Sequence, residues 1–184
     1  MIDVTAGAMS MAPPLVEICR LYVLIALLFA AWGKTAGFAA FRESLADSFP
    51  ALARVAAAVA FAIVAAEWTI ALLMLAGGAS ARIGVIAALA LLSLFTLVIG
   101  AALASGRAIV CSCFGASGHR IGIVDFVRNL ALTAAAAVAV VLSTGGDAWP
   151  PIQQLTLAGI ATILVLASVW LRDLGWLLRA KPEA

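Results

Sequence analysis

Of 184 residues, 66% are apolar and only 11% are charged, against about 45–50% apolar and 25% charged in a soluble domain; with a mean hydropathy of +1.19, this composition excludes a soluble globular fold. The formal net charge of +2 calls for no nucleic-acid partner, because basic residues at span ends serve to orient a chain in a bilayer. A spanning helix takes about 20 residues, so the length holds roughly five or six spans and no separate soluble domain, and residues 1–184 read as one all-α, polytopic transmembrane bundle.

The first apolar run covers 15–33. Asp3, Glu17 and Arg20 precede or open it in place of a basic leader, and Trp32 and Lys34 follow, so it reads as a retained span rather than a cleaved signal peptide. Cys19, near its start, reads as a packing residue. Between residues 35 and 50, Phe38, Phe41, Leu45 and Phe49 recur at helical spacing with Arg42, Glu43 and Asp47 among them, which predicts a short helix lying along the membrane surface. The second run, 52–75, contains Glu67 about two thirds of the way along. Since this span runs opposite to the first, Arg20 and Glu67 are expected at similar depth and as an ion pair, because intramembrane charges are costly unless partnered. Trp68 beside it reads as packing.

The third and fourth runs cover 83–104 and 121–142. In the fourth, the uninterrupted apolar stretch after Arg128 is only 130–142, too short to cross roughly 30 Å of hydrocarbon. Asp125, Arg128 and Asn129 are therefore expected at the interface, under the connection that precedes them. A fifth run, 155–171, brings the count to about five spans. Trp32, Trp149, Trp170 and Trp176 stand near span ends, where an indole prefers the interface. The abundant alanines predict close helix packing by small side chains.

With an odd number of spans, the chain before the first and after the last lie on opposite sides. Lys34, Arg42, Arg54, Arg107, Arg120, Arg172, Arg179 and Lys181 share one face, against Arg82 and Arg20 on the other. The basic-residue bias places the first of these faces, with the carboxyl-terminal segment, in the cytoplasm.

Chemistry is concentrated in the connection after the third span, which reads Ser105-Gly106-Arg107-Ala108-Ile109-Val110-Cys111-Ser112-Cys113-Phe114-Gly115-Ala116-Ser117-Gly118-His119-Arg120. Two thiols one residue apart in a glycine-rich surface connection can close on each other or exchange with another protein's thiols, and a small strained ring is more oxidising than a structural disulfide. Arg107 or Arg128 would favour the attacking thiolate. The competing reading is two thiols packed as small hydrophobes. Cys111, Cys113 and His119 do not reach the four ligands of structural zinc, and Cys19 lies about 20 Å or more away along the helices. Two-coordinate Cu(I) is chemically allowed, but no metal site is predicted. Asp125 and Arg128, three apart, can satisfy each other; in the sharper alternative Arg128 faces the thiols or holds a quinone oxygen.

The string Cys111-x-Cys113-Phe114-Gly115, with Arg128-Asn129-Leu130 opening the next span, resembles the MauE family of methylamine-utilisation membrane proteins. Arg20-Leu21, Gly33-Lys34 and Glu67 in the earlier half are similar to the related DoxX-type membrane proteins. This resemblance covers nearly the whole chain. It implies a multi-pass inner-membrane protein that acts with a thioredoxin-like partner in maturing a secreted, disulfide-containing client, the small subunit of methylamine dehydrogenase in the namesake family. By position, Cys111 and Cys113 become the redox pair, supported by Arg128, Asn129 and Glu67. Such clients lie outside the cytoplasm, whereas the charge bias puts the pair inside; either that bias misleads, or the pair relays electrons across the membrane.

The expectation is therefore a bundle taking part in thiol–disulfide exchange through Cys111 and Cys113, with Arg128, Asn129, Asp125, Glu67 and Arg20 in support and the bilayer as its medium. No cofactor is required, although a quinone is admitted as acceptor, making the protein a quinone-linked thiol oxidase. The alternative from another class is a non-catalytic subunit that docks a soluble partner. Too few polar groups line the spans for a transporter.

Overall fold

The first apolar run extends at both ends into one long helix, α1 (Val4–Ala36). A computed structural model describes the backbone of residues 4–106, 110–111, 119–120, 122–142 and 151–179, and the side chains of 14–106, 122–142 and 152–167. After α1 the chain turns at Gly37 into α2 (Phe38–Ser48), passes through a 3-10 turn (Pro50–Val55) and continues into α3 (Ala56–Leu75). The phenylalanine spacing is realised in α2, which turns Phe41 and Ser44 inward and packs against α3 and the 3-10 turn.

Helix α3 reverses into α4 (Gly78–Ala104) over two glycines in the left-handed region, Gly77 at φ 76° and Gly78 at φ 53°, a conformation that costs a side chain-bearing residue energy. Helix α4 thus begins five residues before the apolar run suggested, because Gly78–Arg82 extend it without interruption. Then come two short strands, β1 (Val110–Cys111) and β2 (His119–Arg120), paired antiparallel with Cys111 opposite His119. The bundle finishes with α5 (Ile123–Leu142) and α6 (Pro151–Arg179).

Among the described residues four segments are long and apolar enough to cross a membrane, Pro14–Ala36, Pro50–Leu75, Gly78–Ala104 and Ile123–Leu142, and α6 adds a shorter apolar stretch, Ile152–Ala167. The architecture is a polytopic helical bundle of about five spans. Helix α1 is its hub, packed on α3, α5 and α6, while α4 fills the space between α3 and α5. Val23, Leu24, Ala26 and Leu27 of α1 meet Ile70, Ala71 and Met74 of α3, Val85, Ala88 and Leu92 of α4, and Leu132, Ala136 and Ala139 of α5 in one core. The repeated alanines at these crossings let helix axes approach closely, as bilayer packing favours. Outward faces carry Phe61, Leu97 and Val141, each at least 67% exposed, as suits lipid-facing surface whose backbone is satisfied within its helix.

Two features set up the site. Antiparallel packing puts the carboxyl end of α1, the 3-10 turn, the carboxyl end of α4 and the amino end of α5 at one end of the bundle. There α2 lies against β1, so the backbone of Cys111 rests beside the short surface helix.

Candidate functional site

At that end, five charged or amide side chains converge on a cavity of about 320 Å³ between α1, α2, α3, α4 and α5. Lys34 is 3% exposed, and its Nζ donates to Glu67 Oε1 of α3 at 2.5 Å, with Glu67 1% exposed. The same ammonium stands 5.7 Å from the centroid of Phe41 on α2 and 5.9 Å from that of Phe95 on α4, within reach of the attraction between a cation and an aromatic face. A lysine at the end of an apolar helix is thereby held inside the bundle: α2 folds over it, and carboxylate and rings replace its water.

The amino end of α5 supplies the opposite wall. Asp125, in its first turn, accepts from the Gly122 backbone N–H at 3.0 Å and from Arg128 Nη2 at 3.4 Å. The first contact is half of a capping box, satisfying a backbone donor that the helix itself leaves open; the carboxylate also complements the positive end of the helix dipole. The second realises the Asp125–Arg128 contact expected three residues apart. Arg128 lies close enough to Lys34 for their charges to repel, so two carboxylates and two cations share this end of the cavity and balance formally.

Asn129 fastens α5 to α4. Its Nδ2 donates to Leu92 O at 3.0 Å and to Thr96 Oγ1 at 2.7 Å, and the hydroxyls of Thr96 and Thr133 are 2.9 Å apart. This ladder occupies both amide hydrogens and fixes the depth at which α5 presents Asp125 and Arg128.

The expected Arg20–Glu67 pair is not formed. Arg20 Nε and Nη2 bind Glu17 at 2.9 and 2.5 Å, and Nη1 donates to Met74 O at 3.1 Å. Matched Cα depth was the wrong criterion, because helical side chains lean toward the amino end of their own helix. In α1 that direction carries Arg20 away from the cavity and brings Lys34 down into it. In antiparallel α3 it lifts Glu67 toward Lys34. Arg20 therefore belongs to the far end of the bundle, where it ties α1 to the end of α3. Lys34, counted from sequence among surface basic residues, is a buried partner; its signal was the Gly33-Lys34 pair closing the first span, beside a carboxylate in the next.

Trp68 packs with the Phe41, Ala60 and Val64 cluster, and its Nε1 donates to Thr35 Oγ1 at 3.1 Å. Cys19 is a free thiol packed against the core. Of the thiol pair, only the backbone of Cys111 lies within the described residues; its side chain, all of Cys113 and of Arg107, and the side chain of His119 lie outside them.

Compared with families of known proteins, residues 12–142 match the family described as methylamine utilisation protein MauE, more than two thirds of the chain. The chain belongs to the MauE family. No curated protein and no solved structure matches it. MauE membership supports a membrane protein of methylamine utilisation. The matched stretch takes in Lys34, Glu67, the β1–β2 connection and the Asp125–Asn129 segment, and it stops at the end of α5, leaving α6 outside.

Proposed function

We propose that this MauE-family protein takes part in thiol–disulfide exchange through Cys111 and Cys113, in support of a secreted disulfide-containing client and together with a thioredoxin-like partner. The observation that carries this proposal is the meeting of β1 with α2. It sets the backbone of Cys111 at the end of the bundle where Lys34, Glu67, Asp125 and Arg128 gather, instead of out in a remote loop. Cationic side chains near a thiol raise its thiolate fraction, and the thiolate is the attacking species. In this scheme Arg128 and Lys34 set the field at the exchange site, Asp125 and Glu67 hold those cations, and Asn129 fixes their depth. Arg20 serves the packing of α1 against α3.

The proposed setting is the inner membrane, with the connection and the segment after α6 on the side that the basic-residue bias favours as cytoplasmic.

Exchange proceeds through a mixed disulfide. A single-cysteine variant, Cys113→Ser or Cys111→Ser, should accumulate a covalent, reductant-sensitive adduct with its thioredoxin-like partner, absent from the Cys111→Ser/Cys113→Ser double variant. Loss of client maturation in the double variant supports exchange. Full maturation in that variant shows a docking subunit whose thiols are incidental.

A further inference from the structure

The cavity has a shape and a lining that thiol exchange alone does not use. It is walled mainly by apolar side chains, with Lys34, Glu67, Asp125, Arg128 and Asn129 and the α2 serines Ser44 and Ser48 as its polar lining, and Lys34 and Glu67 pair within it. Leu94 and Val98 of α4 line it and are also 56% and 37% exposed on the outer face of the helix, so it opens sideways toward the lipid phase. Within it, Glu67 Oε2 is buried and has no hydrogen-bond partner among the described residues, an arrangement that is costly in an apolar interior unless something else supplies a donor.

We propose that this cavity binds an isoprenoid quinone, its ring between Phe41 and Phe95 and its tail leaving past Leu94 and Val98. A lateral mouth selects a lipid-soluble molecule. A volume of about 320 Å³ is at the small end of the roughly 300–1,000 Å³ of ligand pockets, enough for a ring head and the start of a tail. Because Lys34 and Arg128 are already balanced by Glu67 and Asp125 in the lining, an anionic lipid headgroup would bring in an uncompensated charge, whereas an uncharged dicarbonyl ring would not. The Lys34 ammonium is a donor for a carbonyl oxygen, and Glu67 Oε2 is an open acceptor for the hydroxyl that the same oxygen becomes on reduction.

Resting on the thiol-exchange proposal, the quinone is the oxidant of the pair. The two S–H bonds of Cys111 and Cys113 break and one S–S bond forms; the two electrons and two protons released convert the two carbonyls of the quinone into the two hydroxyls of the quinol.

The test uses the full chain in lipid nanodiscs, titrated with decylubiquinone and followed by quenching of tryptophan fluorescence, with decanol as the control for apolar partitioning. Saturable quenching is expected, not reproduced or competed by decanol, and unchanged in the Cys111→Ser/Cys113→Ser variant. Affinity should fall by about tenfold or more in Val98→Trp, which fills the mouth without touching the buried ion pair, and in Lys34→Gln/Glu67→Gln, which removes both charges together. Non-saturable quenching, or binding indifferent to both variants, would overturn the quinone site. When wild-type protein with reduced thiols is mixed with decylubiquinone, one quinol should form per disulfide; binding without quinol overturns the acceptor role alone. Quinone binding in a protein that never forms the mixed disulfide removes the exchange proposal and leaves the site standing.

Discussion

Lys34 loses its water to a carboxylate and two aromatic rings, and Glu67 loses its own almost completely. Breaking such a pair from one side strands a charge, at a cost of about 3–5 kcal/mol, while replacing both partners by apolar groups costs far less. Lys34→Met and Glu67→Leu should therefore each lower the thermal stability of the purified protein sharply, and the double variant should recover most of the loss. A double-mutant cycle should find strong coupling between Lys34 and Glu67 and none between Arg20 and Glu67, since Arg20 is engaged by Glu17 and Met74. Coupling of Arg20 to Glu67 would contradict the corrected pairing. The presence of a charge in the second span was legible in the sequence; its partner was not. A lysine at the end of an apolar run has the position of an interfacial anchor, and only the folding of α2 over it makes it interior.

Elements were more legible than their contacts. Runs of helical spanning length marked α1, α3, α4 and α5, and the spacing of Phe38, Phe41 and Leu45 marked α2, because burial of one face leaves a period in the sequence. Which helices touch leaves no such period. The closest approach of α3 and α4 depends on Gly84: a Cβ there would lie 2.8 Å from Met74 Cγ and 2.9 Å from Met74 N. Since the backbone of α3 cannot yield as a flexible side chain would, Gly84→Ala should destabilise the bundle by about 1–3 kcal/mol, the usual range for overpacking, as read from its unfolding midpoint in detergent. An unchanged midpoint would show that the two helices slide freely. The Asn129 ladder between α4 and α5 is weaker, because hydrogen bonds in bilayers average about 0.6 kcal/mol. Asn129→Ala should barely move the midpoint while impairing client maturation, through a shift of Asp125 and Arg128; unimpaired maturation would confine Asn129 to packing.

At the scale of the whole molecule, a bundle of about five spans is expected to carry the chain to opposite sides of the membrane, and the burial of Lys34 removes one residue from the orienting charge count without reversing it. Arg42 and Arg54 remain exposed on the face assigned to the cytoplasm, against exposed Arg82 on the other. A topology reporter joined after Ala184 should report cytoplasm and one joined before Met1 the outside; reports from the same side would remove one span. Molecular class and family were readable from composition and from the Cys-x-Cys-Phe-Gly string, because both are local. The cavity was not, being assembled from five helices far apart in sequence. The central claim is that Cys111, whose backbone lies at this end of the bundle, and Cys113 act as an exchanging pair, and trapping with a thiol-alkylating mass tag in cells tests it most directly. Reduced and oxidised protein should differ by two tags, with the difference unaltered in Cys19→Ala and abolished in either Cys111→Ser or Cys113→Ser. A pair that stays reduced under every growth condition, in a protein whose Cys113→Ser variant still matures its client fully, would contradict it.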